Sequence, residues 1–216
     1  RRPPISTQGR SSAASDVYKR QDVDRATFQE IMGSFDAVFV ACGAWQETQA
    51  GIVGEECLQS GVEFLSGPEL EKMAGKTVGV IGGGNTAIDV ARSLLRVGAK
   101  PIVYYRRTKD EMPALREEVE KAEAEGVRFS FLTLPVGAEE GEGGVSLTCC
   151  RMELGEIDES GRPRPVKVEG SEYAEQCDAV VKAIVERPDY SFLPIEFLDP
   201  KGGLKFDEAT KSIGRN

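Results

Sequence analysis

The hydrophobic pattern of this chain changes period near residue 82. Residues 76–81 (KTVGVI) form a short apolar, β-branched run, the composition of a buried parallel strand. Beyond them the period becomes helical, with Ile88, Val90, Ala91, Leu94, Leu95 and Val97 on one broad face. Gly98 is placed to end that helix in the left-handed conformation. Residues 101–105 (PIVYY) then predict a second strand. A further helix is expected from Pro113 to about Glu125, with Pro113 in its first turn. Leu115, Val119 and Ala122 mark its inner side, and Glu117 and Lys121 stand at pairing distance on its surface. Gly126 closes it, and 127–132 predicts a third parallel strand. The pattern then turns antiparallel: an acidic, glycine-rich turn at 137–144, and strands at 145–153 and 164–169 joined through 158–161. A final apolar strand is expected at 177–184. Upstream, 35–43 (FDAVFVACG) reads as an isolated buried strand of a neighbouring sheet.

Between the first strand and its helix stands Gly82-Gly83-Gly84-Asn85-Thr86-Ala87, the G-x-G-x-x-A form of a dinucleotide fingerprint. Gly82 permits a tight turn out of the strand. Gly84 lets backbone approach a pyrophosphate, and Ala87 lets helix and strand pack closely. The helix that follows points its amides and positive dipole end at the same place. Strand, turn, helix and second strand occur in the order the motif needs. These residues imply an α/β fold with a Rossmann-like NAD(P)H-binding domain, a parallel sheet plus a small antiparallel meander.

The second strand bears on which dinucleotide. An NAD site places a carboxylate near its end, to bond the ribose 2′-hydroxyl. Here Arg106 and Arg107 stand there. Guanidinium groups favour a 2′-phosphate through charge-assisted bonds, so NADP(H) is expected over NAD(H). The alternative use of these arginines is pairing with Asp110 or Glu111.

Composition narrows the field further. Net charge is −9, which argues against a nucleic-acid partner. The chain has no histidine, which removes Ser-His-Asp and Cys-His nucleophile systems and most zinc sites. Its five cysteines, Cys42, Cys57, Cys149, Cys150 and Cys177, form no C-x-x-C pair. They read as reduced thiols of a cytoplasmic protein, with no metal site. No apolar run is long enough to span a membrane. Residues 1–21 carry five basic residues against one acidic and no apolar period. They are expected to be a disordered, non-native tail.

The segments VGVIGGGNTAIDVARSLLRVGA, VYYRRTKDEMPA, EEVEKAEAEGV, CRMELGE and DAVVKAI together resemble the small (beta) subunit family of NADPH-dependent glutamate synthase. Relatives of that family include the flavin half of dihydropyrimidine dehydrogenase and the flavin subunit of ferredoxin:NADP oxidoreductases. The resemblance covers residues 24–216 and implies an FAD-dependent oxidoreductase. In it, an NADPH domain is inserted into an FAD domain and passes hydride to FAD, then electrons through iron–sulfur clusters to a large partner subunit. On this reading 22–66 and 186–216 are partial FAD-domain segments and 67–185 is the NADPH domain. The FAD fingerprint and the iron–sulfur cysteines then belong to the full-length parent. Gly82, Gly83, Gly84, Asn85, Thr86 and Ala87 would hold the pyrophosphate, and Arg106 and Arg107 the 2′-phosphate. Ala41, Cys42 and Gly43 resemble the crossover between domains. Val185 replaces a family glycine that lets backbone approach the nicotinamide. No catalytic side chain is implied, because hydride passes between cofactors. The alternative reading is an NADP-binding module, or an inert fragment, with no turnover of its own. An NADP-dependent dehydrogenase of small substrates is a weaker third, since no Tyr-x-x-x-Lys pair or catalytic histidine exists to move a proton.

Overall fold

The computed structural model describes residues 22–213 apart from 45, 47, 159, 160, 185, 186, 201, 208 and 211. The expectations for residues 1–21 and for Val185 lie outside the described residues. The chain divides into two compact units, one ending at Cys42 and resuming at Asp189, the other spanning Gly43–Pro188.

The smaller unit contains helix α1 (Arg25–Ser34), started by Asp24, whose side chain accepts from the Thr27 amide at 2.8 Å. Such a cap satisfies an amide that the helix leaves unpaired. Phe28 is buried and meets Phe192 edge-on, with ring centroids 5.4 Å apart. Residues 35–43 do not form the expected strand. They join no ladder, and Phe39 is 92 % exposed. An apolar run is a strand only where a neighbouring strand takes up its backbone groups, and the described residues supply none here.

The larger unit is built on a parallel sheet. Its strands are β1 (Gln59–Ser60), β2 (Thr77–Ile81), β3 (Lys100–Tyr105), β4 (Arg128–Phe131) and β9 (Ala179–Lys182), in the order β1-β9-β2-β3-β4. Helices α2 (Gly61–Ser66), α3 (Asn85–Arg96) and α4 (Arg116–Glu125) accompany it. An antiparallel sheet holds β5 (Thr133–Gly141), β6 (Gly144–Ile157), β7 (Pro163–Lys167) and β8 (Tyr173–Cys177), with β6 pairing each of the other three. This is the expected Rossmann-type α/β architecture. Residues 43–66, expected to lie with the flanking segments, instead pack into this unit: β1 pairs β9 and Phe64 is in the core.

Strand alternation explains the two cores. Val78, Val80, Val103 and Val181 share one cluster with Ile88, Ala91 and Leu94 of α3. Ile102, Tyr104 and Val180 point the other way and pack with Val145, Leu147, Cys149 and Cys177. Successive strand residues face opposite sides, so the parallel sheet is filled from both. Gly79 belongs to the second face. A Cβ there would sit 3.2 Å from both Cys177 Sγ and the Tyr104 ring, so a side chain at this position would press on both. Burial raises the Tyr104 hydroxyl pKa and pushes the Cys149 thiol up to about 12. Cys149 and Cys150 are both buried on β6, and all five cysteines are free.

Several element boundaries move from their predicted positions. The helix expected from Pro113 begins at Arg116, and Leu115, expected inside, is 64 % exposed. Lys121 pairs with Glu118 rather than Glu117, while Arg92 of α3 clasps both Glu118 and Glu125. Val119 and Ala122 are buried and Gly126 caps the helix at φ 108°, as expected. The final strand is divided. Cys177 ends β8 in the antiparallel sheet and Ala179 begins β9 in the parallel one. Asp178 marks the change: its amide donates to the Thr77 carbonyl and its carboxylate accepts from the Thr77 amide, at 2.8 and 2.7 Å.

An ion pair joins residue 55 to the end of β9. Lys182 Nζ lies 2.6 Å from Glu55 Oε1, with the two side chains 11 % and 16 % exposed. The Glu55 carboxylate also accepts from the amides of Ala50 and Gly51. Burial raises its pKa, but the Lys182 ammonium and those amides outweigh it, so the carboxyl sits below its ordinary value. The stabilisation is therefore full above the ordinary carboxylate range and is lost as pH falls through the folded pKa. Glu55→Gln should flatten the acid limb of the stability curve between about pH 6 and 3, measured by denaturant unfolding. Lys182→Met should cost about 3 kcal/mol at neutral pH, because it strands a largely buried carboxylate.

Candidate functional site

The site forms where β2 ends. The chain passes from β2 through α3 to β3 and β4 on one side, and returns much later as β9 on the other. The crevice beside β2 is therefore a topological switch point, where open α/β sheets bind ligands. Gly82 leaves the strand at φ 149°, its amide bonded to the Tyr104 carbonyl. A Cβ at Gly82 would fall 2.1 Å from the Ala183 carbonyl oxygen. The expected tight turn is thus enforced by the residue that follows β9, a contact the local sequence does not reveal.

Each remaining residue of the glycine-rich segment has a distinct environment. Gly83 is buried, and a Cβ on it would fall 2.4 Å from the Tyr105 ring. Gly84 has open space where its Cβ would stand. It is the N-cap of α3 and makes no side-chain cap bond. The amides of Ala87 and Ile88 bond back to the Gly84 carbonyl. Those of Asn85 and Thr86 find no acceptor among the described residues, so two donors remain at the positive end of a twelve-residue helix. Ala87 is fully buried, and its Cβ lies 3.3 Å from the place of a Gly82 Cβ, in keeping with close strand–helix packing. Asn85 is exposed, with its amide oxygen accepting from the Leu115 amide at 2.9 Å.

The two arginines after β3 differ sharply. Arg106 is exposed and its side chain makes no hydrogen bond among the described residues. Arg107 is 4 % exposed and is engaged by Asp158, at 2.7 Å, and by the Pro163 carbonyl, at 2.8 Å. Neither arginine pairs with Asp110 or Glu111. Glu111 instead closes a capping box with Thr108 on the short turn that follows. The partner of Arg107 lies 51 residues away in sequence, so no local pattern could identify it. Ala41, Cys42 and Gly43 are exposed, with Gly43 at φ 72°, and they lie at the sequence boundary between the two units.

Fold and site together define a Rossmann-type α/β module with a glycine-rich turn and an open helix N-terminus at the switch point of its sheet. The chain belongs to the pyridine nucleotide-disulphide oxidoreductase family, whose profile matches residues 11–212. It is 45 % identical over 188 residues to the NADPH-Fe(3+) oxidoreductase subunit beta of Geobacter sulfurreducens, a match covering 82 % of this chain and 28 % of that protein. It is 37 % identical over 177 residues to the glutamate synthase [NADPH] small chain of Escherichia coli, covering 74 % of this chain and 38 % of that one. The resemblance to glutamate synthase small chains read from the motifs is therefore supported, and the chain spans well under half the length of these relatives. Among solved structures, FprA from Mycobacterium tuberculosis in complex with NADPH superposes with a TM-score of 0.59 at 19 % identity, covering 88 % of this chain and 56 % of that one. That likeness establishes the fold. No helix among the described residues is long and apolar enough to cross a membrane.

The geometry separates residues that hold the structure from residues that are free. Gly82→Ala combines a disallowed φ with a backbone clash and should cost more than about 3 kcal/mol or prevent folding, as read by denaturant unfolding. Arg107→Ala should destabilise by about 3 kcal/mol, since it removes a buried guanidinium together with its bonds to Asp158 and the Pro163 carbonyl. Arg106→Ala should change stability by less than about 0.5 kcal/mol. Equal losses for the two arginine variants would contradict this division.

Proposed function

We propose that this chain is the NADPH-binding part of a flavin oxidoreductase that takes hydride from NADPH to FAD and sends electrons on to iron–sulfur centres. The observation that carries the reading is the pairing of two unsatisfied α3 amides with the exposed Arg106 at the neighbouring strand end. An NADP(H) pyrophosphate meets the amides of Asn85 and Thr86 beside the open face of Gly84. The 2′-phosphate is met by Arg106. In this reading Arg107 supports the site from behind, through Asp158 and Pro163, rather than as an equal phosphate ligand. The segment at Ala41, Cys42 and Gly43 is the crossover to the flavin domain. NADPH supplies the hydride, and the protein binds, orients and discriminates.

In this reading the FAD and the iron–sulfur centres belong to the full-length parent. Among the described residues no group of three or more His, Cys, Asp or Glu could hold a metal ion. The glutamate synthase small-chain type is the first reading, with a large electron-accepting subunit as partner in the cytoplasm. A second reading, an NADPH-dependent subunit that feeds a different acceptor, is favoured by the higher identity to the Geobacter sulfurreducens protein. One nucleotide module serves several such reactions.

Calorimetric titration of the purified chain with NADPH and with NADH tests the nucleotide reading, with the visible spectrum recorded first. NADPH should bind well above NADH. Arg106→Ala should weaken NADPH roughly 10- to 100-fold, the worth of a charge-assisted bond, and leave NADH unchanged. Gly84→Ala should weaken both nucleotides while the fold stays within about 0.5 kcal/mol of wild type. Equal affinity for the two nucleotides, or loss of both in Arg106→Ala, would remove the reading.

A further inference from the structure

The loop between β3 and α4, which begins with Arg106, is fastened to the glycine-rich turn at several points. The ring of Tyr105 occupies the space that a Gly83 Cβ would need. The Gly83 carbonyl accepts from the Ala114 amide at 3.1 Å. Asn85 Oδ1 accepts from the Leu115 amide at 2.9 Å. Tyr105 Oη donates to the Glu111 carbonyl at 2.7 Å, and the Thr108–Glu111 capping box stiffens the turn between. Arg106 therefore follows an anchored ring and precedes an anchored stretch at 111–115. With no hydrogen bond to its own guanidinium, its position is set by the backbone on either side.

Helix chemistry does not require an asparagine at residue 85. Gly84 is the N-cap, and Asn85 is the first helical residue, where its side chain caps nothing. Its amide oxygen is spent on the distant loop, 30 residues along the chain. Nor does a buried strand end require a phenol at residue 105, since phenylalanine would fill the same volume against Gly83. Both polar atoms act on one object, the loop that carries Arg106.

We propose that Asn85 and Tyr105 are positioning residues for cofactor selectivity: through Asn85 Oδ1 and Tyr105 Oη they hold Arg106 at a fixed place relative to the free α3 amides. The two anionic groups of NADP(H), pyrophosphate and 2′-phosphate, are then read as a rigid pair, and the loop is not ordered at the expense of binding. NADH carries no 2′-phosphate, so its affinity is indifferent to where Arg106 stands. The inference rests on the NADPH reading above.

The test uses the full chain, titrated with NADPH and NADH, in Asn85→Ala, Asn85→Asp and Tyr105→Phe. Loss of one hydrogen bond that holds the loop should weaken NADPH roughly three- to tenfold in Tyr105→Phe, with NADH unchanged, and should weaken NADPH more than NADH in Asn85→Ala. Asn85→Asp keeps the acceptor but sets a charge beside the pyrophosphate, so it should weaken both nucleotides alike and preserve their ratio. In an Arg106→Ala background Tyr105→Phe should not lower NADPH affinity further, the signature of a shared pathway in a double-mutant cycle. Amide hydrogen exchange, with no nucleotide present, should quicken at 106–115 in both neutral variants while β2 and β3 stay protected.

Asn85→Ala and Tyr105→Phe variants that keep the wild-type preference for NADPH, or lose both nucleotides equally, would overturn the inference and leave the NADPH reading standing. Loss of protection throughout β2 and β3 would overturn it too, by making these contacts supports of the fold alone. A wild-type chain without preference between the nucleotides would end the NADPH reading itself.

Discussion

The close passage of β9 across the end of β2 is the constraint on which the rest of this structure depends. Gly82 lies against the Ala183 carbonyl, with its amide held by Tyr104 of β3 and the Ala183 amide held by Ile81. Three strands meet there within hydrogen-bonding distance, and no side chain fits between them. Because the chain must turn at this point without a Cβ, α3 starts directly over the strand end. Its unpaired amides then lie at the sheet's carboxyl edge, where a helix N-terminus favours an anion.

A second consequence is that the parallel sheet is covered by two different materials. Helices α2, α3 and α4 bury one face with apolar side chains, and the antiparallel sheet buries the other, packing Leu147, Cys149 and Cys177 against Tyr104 of β3. The chain changes sheets at two positions. Leu132 adopts φ 50°, with its amide on the Arg107 carbonyl and its own carbonyl accepting from Met152. Asp178 brings the chain back by gripping both backbone groups of Thr77. A non-glycine residue at positive φ is costly, and the paired carbonyl and amide hold it in place. The buried Arg107 follows the same logic. Its ion pair to Asp158 ties the β6–β7 hairpin to the end of β3, so a charged side chain inside the protein serves the sheet junction.

How much was legible in the sequence varies with the range of the contact that decides each feature. The strand–glycine–helix–strand order at 76–105 was legible because hydrophobic period, turn glycines and helix end are all local. So were the Gly98 and Gly126 helix ends and the burial of Val119 and Ala122. The 35–43 segment misled, since its apolar run matches a strand but strandedness belongs to a neighbour. The start of α4 was placed early because Pro113 suits a helix start. In the structure the preceding residues are taken up by the loop that fastens to Gly83 and Asn85.

The sequence by itself determined the fold class and the position of the glycine-rich turn, because these follow from periods of two and 3.6 residues and from where a Cβ is missing. It also marked Arg106 and Arg107 as a pair of cations at a strand end. Only the tertiary structure decided that they are unlike: Arg107 is drawn inside by Asp158 and Pro163, and Arg106 is left on the surface. Only it divided 177–184 between two sheets, and only it gave Gly83 its reason, the Tyr105 ring. Each of these rests on groups far apart in sequence that approach once the strands have paired. A pattern of neighbouring residues carries no record of which remote atom will arrive.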